Sequence, residues 1–266
     1  MPRTVAVVSA GDMGSGVGRL LVQGGSRVVT WLGGRSQRTR RRAEDAGMEE
    51  LADLAAVVRE ADVLLSIVPP AHALDLARAV GPQPDLLYVD CNAVSPATVR
   101  QVADVIGQHF VDVGIIGAPA APRLYASGPQ APELASLGLD TRFLGDQVGD
   151  ASGLKMCYAA FTKGLTALAT ELLAAGDRLG LAEPLRAELE DSQPMLYSWS
   201  QRAIPGMVPK AYRWIVEMEE IAATFAALGL TPKMLEGAAE VYRLVESGLL
   251  PAGFVRPDEQ VADRRR

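Results

Sequence analysis

Val5–Leu21 reads VAVVSAGDMGSGVGRLL. The apolar run Val5–Val8 suits a short strand buried in a sheet. Ser9-Ala10-Gly11-Asp12-Met13-Gly14 follows as a turn of small residues, and a helix is expected from about Ser15 to Gly24. A strand, a tight glycine turn and a helix in this order form the first unit of a dinucleotide-binding fold. The helix N-terminus offers free N–H groups and a positive dipole end to a pyrophosphate, and small residues let the backbone approach it. Against the pattern G-x-G-x-x-G, Ser9 stands at the first glycine, while Gly11 and Gly14 hold the second and third. Gly11, Asp12, Met13 and Gly14 are therefore the first expected cofactor contacts.

Moving outward, Arg27–Leu32 (RVVTWL) reads as the second strand, ending at Gly33-Gly34-Arg35-Ser36. An adenosine ribose lies at this place in such folds, and an acidic residue there would select NAD. The sequence offers Arg35, Ser36 and Arg38 instead, with Thr39 behind them, which favours the 2′-phosphate of NADP over a merely solvated basic helix start. Helices are expected over 40–47, 53–60, 73–80 and from Ser95-Pro96 to Ile106, alternating with strands at Asp62–Val68, Leu86–Asp90 and Phe110–Val113. Met48 and Glu49 suggest a further short strand, and Tyr125 and Arg142–Leu144 one or two more before Gly149. Strands alternating with helices at this rhythm predict a doubly wound parallel sheet. From Asp150 the strand signals stop. Helices are expected over 151–179, 184–197, 210–228 and 232–246, with loops at 200–209 and 229–231. The fold class is thus α/β followed by all-α. Residues 1–149 form the nucleotide-binding domain, 150–256 a helical substrate and dimerisation domain, and 257–266 a polar, frayed tail.

The chain has 266 residues, 48% hydrophobic and 22% charged, with a net charge of -6. This is ordinary globular composition, and it argues against nucleic acid as the main partner. Two cysteines, Cys91 and Cys157, make no disulfide framework and no zinc spacing, and no metal set appears. Without a signal peptide or a spanning apolar run, no membrane role and a cytoplasmic location are the expectation.

The order of parts resembles the β-hydroxyacid dehydrogenase and 6-phosphogluconate dehydrogenase-like superfamily across nearly the whole chain. Gly11-Asp12-Met13-Gly14 matches its opening turn, and Val68-Pro69-Pro70 its strand ending in a Val-Pro pair. Asp90-Cys91-Asn92 through Ser95-Pro96-Ala97-Thr98 is similar to its substrate loop, and Asp112 through Gly117 to its Asp followed by a glycine-rich turn. The resemblance puts the family's catalytic lysine at Lys155. The departures are equally definite: Tyr158 stands where the family has Asn, Asn92-Ala93 replaces hydroxyl residues, and Arg213–Glu219 occupies the place of a later Lys-Asp pair. They point away from 3-hydroxyisobutyrate and 6-phosphogluconate as substrates.

What the resemblance implies is an NADP-dependent dehydrogenase acting on a small hydroxy acid or its carbonyl form, with Lys155 as general acid/base. The alternative for Lys155 is a lysine that snorkels to solvent. Tyr158, three residues on, reads equally as a proton donor or a core aromatic. Asn92 is a candidate for the nicotinamide or a substrate carboxylate, or else a turn residue. Val68, Pro69 and Pro70 are expected at the cofactor, and Gly117, Tyr212, Arg213 and Glu217 at the substrate. Two other readings stand beside this one: an imine reductase using Tyr158, and a non-catalytic NADP-binding sensor, against which an intact lysine counts. The long helix from 151 carries apolar residues on more than one face, so a homodimer through the helical domain is expected.

Overall fold

The computed structural model describes residues 3–250. The expected tail 257–266, and residues 251–256 of the expected helical domain, lie outside the described residues. The chain divides into two compact units between Met156 and Cys157, inside a helix rather than before it.

The first unit is built on one eight-stranded sheet. In chain order its strands are β1 (Thr4–Val8), β2 (Arg27–Thr30), β3 (Glu49–Glu50), β4 (Val63–Ser66), β5 (Leu87–Asp90), β6 (Phe110–Ala118), β7 (Ala121–Ser127) and β8 (Thr141–Gly145). The spatial order is β3-β2-β1-β4-β5-β6-β7-β8. The first six strands run parallel, while β7 turns back antiparallel to β6 and pairs in parallel with β8. Between the strands lie α1 (Asp12–Gln23), α2 (Gln37–Asp45), α3 (Leu54–Glu60), α4 (Ala73–Val80) and α5 (Pro96–Ile106). The chain order reverses between β1 and β4, so the crevice beyond their C-terminal ends is the topological switch point where such sheets bind ligands.

Two apolar layers sandwich the sheet. On one face Val5, Val7, Val111, Val113 and Ile115 pack with Val17 and Leu21 of α1. On the other, Ala6, Leu64, Tyr88 and Phe110 pack with Val57 of α3, Ala77 of α4 and Val99 and Val102 of α5. The alternation of strand side chains produces both layers from one set of strands.

Four sequence expectations change. The strand beginning at Phe110 does not end at Val113: Ile115 and Ile116 remain buried and pair with β7, and the chain reverses only at Pro119-Ala120. The glycines that read as a loop sit inside this hairpin. Helix α1 starts at Asp12, not Ser15, with Gly11 as its N-cap. The single helix expected over 184–197 is two, α7 (Ala182–Ser192) and α8 (Pro194–Met207), because Gln193 leaves helical geometry and Pro194 opens the next helix. The loop expected over 200–209 is mostly helix. Helix α8 continues through Pro205 with Ile204 and Met207 buried, and Val208–Lys210 forms only a tight 3-10 turn.

The second unit is helical throughout its described residues. It takes the larger part of α6 (Asp150–Arg178), then α7, α8, α9 (Ala211–Ala227) and α10 (Lys233–Glu246). Helices α9 and α10 pair around Met218, Ile221, Ala239 and Tyr242, with Trp214 meeting Tyr242 edge-on at 5.4 Å. Tyr242 donates its hydroxyl hydrogen bond to the carbonyl of Lys163 on α6. Among the described residues, no helix is long and apolar enough to cross a membrane.

Candidate active site

The turn after β1 has the form a pyrophosphate needs. Ser15 N–H already bonds the Gly11 carbonyl, so the N–H groups of the preceding helical positions are the ones without an intrahelical partner. Gly14 is a glycine for packing: a Cβ there would lie 1.9 Å from the Ser9 carbonyl oxygen. Gly11 is different. Its φ is -67° and a Cβ would meet no atom within 4 Å, so neither backbone geometry nor packing in this chain calls for glycine. The space in front of the turn is open to an approaching ligand. Asp12 and Met13 face elsewhere with their side chains: Asp12 is ion-paired with Arg42 of α2, and Met13 packs against the core. What they offer a phosphate is backbone.

Beyond β2, Ser36 caps α2 by accepting the Thr39 N–H at 3.3 Å, and the first turn of α2 contains no acidic residue. Arg35 has its Nε buried without a hydrogen-bond partner. A buried donor is costly when unpaired, and here it sits beside a capped helix N-terminus with Arg38 exposed on the next turn. Together, the open cradle at Gly11 and the orphaned Arg35 donor fit an adenine dinucleotide phosphorylated on its ribose.

A row of buried polar groups crosses the sheet at its C-terminal end. Ser66, Asp90, Asp112 and Ser127 are register partners on β4, β5, β6 and β7, each fully buried. Asn92 closes one end of this row. Its Nδ2 donates to Ser66 Oγ and Asp90 Oδ2, both at 2.8 Å, while its Oδ1 accepts the Val68 N–H at 2.7 Å. Both amide protons are thereby committed inside the protein. These bonds tie the Val68-Pro69-Pro70 segment to the end of β5 and leave one Oδ1 lone pair of Asn92 for a ligand. Burial raises the Asp90 carboxyl to about 7, against the lowering effect of the Asn92 hydrogen bonds, with Asp112 adding to the rise.

Asp112 holds the start of α6. Its Oδ2 accepts the N–H groups of Gly149 (2.9 Å) and Ser152 (3.1 Å) and the Ser127 hydroxyl (3.1 Å). Its Oδ1 accepts the Ser152 hydroxyl at 2.7 Å. Burial pushes this carboxyl upward even so. One turn beyond Ser152 stands Lys155, whose Nζ donates to the carbonyl of Ile115, three residues beyond Asp112 on β6. Helix and strand come this close only because Gly114 lacks a side chain: a Cβ there would lie 2.6 Å from the Ala151 carbonyl oxygen. Strand β6 thus fixes both the helix start and the lysine tip. Burial lowers the Lys155 amine to about 8, with Cys91 a smaller opposing influence.

The remaining expected residues fall as follows. Gly117 lies in β6 with φ +111° and is exposed. Tyr158 follows Lys155 along α6 and is 45% exposed, so the core-aromatic reading does not apply. Tyr212 and Arg213 are exposed in the second unit, with the Arg213 guanidinium 6.0 Å from the Tyr212 ring. Glu217 is ion-paired with Lys163, which also lies over Trp214 at 5.4 Å. Its carboxylate is engaged within the second unit, a structural role that no local pattern signals. Sequence reasoning also passed over Gly16, where a Cβ would lie 2.3 Å from the Pro119 carbonyl oxygen, fixing α1 to the β6–β7 turn. The second glycine of Gly14-Ser15-Gly16 was the available signal.

Fold and site together define a class: an NAD(P)-binding Rossmann unit followed by a helical unit. A family model described as coenzyme F420-dependent NADP oxidoreductase matches residues 4–94, and one described as a domain of unknown function (DUF1932) matches 177–245. An uncharacterized 28.5 kDa protein from the 7S RNA 5′ region of Methanothermus fervidus is 30% identical over 225 residues, 82% of this chain and 90% of that one. The conserved protein MTH1747 of unknown function, reported as structurally similar to 3-hydroxyacid dehydrogenases, aligns with 32% identity and a TM-score of 0.71, covering 94% of this chain and 99% of its own. A Mycobacterium tuberculosis 3-hydroxyisobutyrate dehydrogenase, solved with L-serine, shares the fold at 19% identity and a TM-score of 0.72, covering 96% and 97%. The chain belongs to the family of the Methanothermus fervidus protein, within the β-hydroxyacid dehydrogenase-like superfamily.

Proposed function

We propose that this protein is an NADP-dependent oxidoreductase that moves hydride between the nicotinamide and a carbon bearing the hydroxyl or carbonyl of a small acid. The observation that carries this reading is Lys155 on α6, its amine bonded to the Ile115 carbonyl of β6 and lowered by burial to about 8. A group with that pKa exchanges protons with a reacting oxygen near neutral pH. In oxidation the neutral amine takes the hydroxyl proton; in reduction the ammonium returns it to the carbonyl oxygen. NADP, when bound, supplies or accepts the hydride. Arg35, Ser36 and Arg38 would hold its 2′-phosphate, the first turn of α1 its pyrophosphate, and the Val68-Pro69-Pro70 segment would line the nicotinamide side.

The test is a titration of NADPH against NADH, followed by oxidation assays over a panel of short hydroxy acids with wild type and Lys155→Ala. Tighter NADPH binding, with turnover that disappears in the variant, is expected. Turnover that survives Lys155→Ala would remove the lysine from the chemistry. A second reading, imine reduction with Tyr158 as proton donor, rests on the exposure of that phenol. It requires cyclic-imine reduction that survives Lys155→Ala and is lost in Tyr158→Phe.

We further propose that the protein works as a homodimer in the cytoplasm, assembled through the helical unit.

A further inference from the structure

The β6–β7 hairpin carries a cation that nothing in the site so far employs. Arg123 is the register partner of Ile116, so its side chain leaves the sheet on the face of Asp112, Gly114 and Ile116. Lys155 lies over that same face, since a Cβ on Gly114 would sit 3.1 Å from the Lys155 Cβ. From there the lysine runs along β6 to the Ile115 carbonyl. The Arg123 guanidinium reaches Gly117: its Nη1 is 3.7 Å from where a Cβ on Gly117 would be. Ile115 and Gly117 are two residues apart, about 7 Å along a strand. The two cations thus meet β6 at points two residues apart.

Arg123 is half-buried, and among the described residues it has no ion pair and no hydrogen bond. Its neighbour Arg142 is engaged, bonding the Tyr125 hydroxyl at 3.1 Å and lying over that ring at 5.4 Å. The buried carboxyl groups of Asp90 and Asp112 are engaged elsewhere, by Asn92 and by Ser127, Gly149 and Ser152. A planar guanidinium without a partner, beside an exposed glycine, is shaped for a carboxylate, which it holds with paired parallel hydrogen bonds.

We propose that Arg123 is the carboxylate anchor of the site: it grips the acid group of the substrate across Gly117 while Lys155 meets the reacting oxygen. This assignment rests on the oxidoreductase reading and adds to it the residue that selects acids over neutral alcohols.

The experiment measures binding of short hydroxy acids, and of the corresponding hydroxy amides, to the NADPH-loaded protein, which cannot oxidise them. Calorimetry on wild type, Arg123→Gln and Arg123→Lys supplies the affinities, with melting curves to verify folding. Wild type is expected to prefer the matching acid over its amide by at least ~10-fold, the ratio Arg123→Gln abolishes and Arg123→Lys keeps in part. A preference that persists in Arg123→Gln overturns the proposal, as does a wild type that prefers no acid in the panel. Oxidation of the same panel with NADP separates the two claims. Acid binding that depends on Arg123 without any turnover sinks the dehydrogenase reading and leaves the anchor. Turnover with acid binding indifferent to Arg123 does the reverse.

Discussion

Gly11 and Gly14 sit in one turn and serve opposite masters. Gly14 answers to the Ser9 carbonyl 1.9 Å from its missing Cβ, Gly11 to nothing within 4 Å. Gly14→Ala is therefore expected to cost about 2–3 kcal/mol in urea unfolding, as overpacking against backbone does. Gly11→Ala should leave the unfolding midpoint nearly unchanged and weaken NADPH binding by roughly 10-fold or more, read by fluorescence titration. Equal losses of stability in both would remove the argument for a ligand over Gly11. The lysine yields a prediction of the same grain. With its amine at about 8, oxidation needs the neutral form and rises with pH through that value, while reduction needs the ammonium and falls through it. Opposite slopes in the two pH–rate profiles are expected, and parallel ones would exclude Lys155 as the shared acid and base. Lys155 was legible by position alone. Its low pKa comes from packing around the β6–α6 approach, which no local pattern encodes. Asn92 shows the reverse: its side-chain type suggested a ligand, but nothing local showed that Ser66, Asp90 and Val68 would also bond it.

At the scale of elements, the alternation of strands and helices was readable because each apolar run was short and bounded by Gly, Pro or a cap. What was not readable was the hairpin. Gly114-Ile115-Ile116-Gly117 has the composition of a loop, and only pairing with β7 and the close approach of α6 make it strand. The clamp at Asp112 has the same origin, since its four donors come from β7 and from the start of α6, both distant in sequence. Asp112→Asn replaces a carboxylate with an amide whose own N–H groups face donors. It should cost about 2–4 kcal/mol, in the range of a buried charged acceptor losing its partners. Ser152→Ala removes one hydroxyl donor and should cost about 1 kcal/mol. If α6 is the mount for Lys155, Ser152→Ala should also lower kcat more than it raises KM for the acid substrate. A change confined to thermal stability would make Asp112 and Ser152 merely structural.

The whole molecule poses the question of what covers α6. Leu154, Tyr158, Phe161 and Leu168 on α6, and Leu179 just past its last residue, stand 37%, 45%, 68%, 56% and 71% exposed. With the half-buried Leu165 and Leu172 and the exposed Ala175 between them, they repeat at alternating intervals of four and three residues. That is the seam of paired helices, in which each side chain inserts between those of the facing strand. A second copy of this chain presents the same seam, and a two-fold axis matches a helix surface to itself. Phe161 and Leu168 lie near the middle, where a charge would be buried twice across the axis. Phe161→Glu and Leu168→Glu, each at a position exposed within the chain, should leave the helical content unchanged. They should convert a species sedimenting at about twice the mass of 28.2 kDa into one sedimenting at that mass. A wild type that sediments as a monomer at micromolar concentration, or a Phe161→Glu/Leu168→Glu double variant that still sediments as a dimer, would mean that this seam is not the interface.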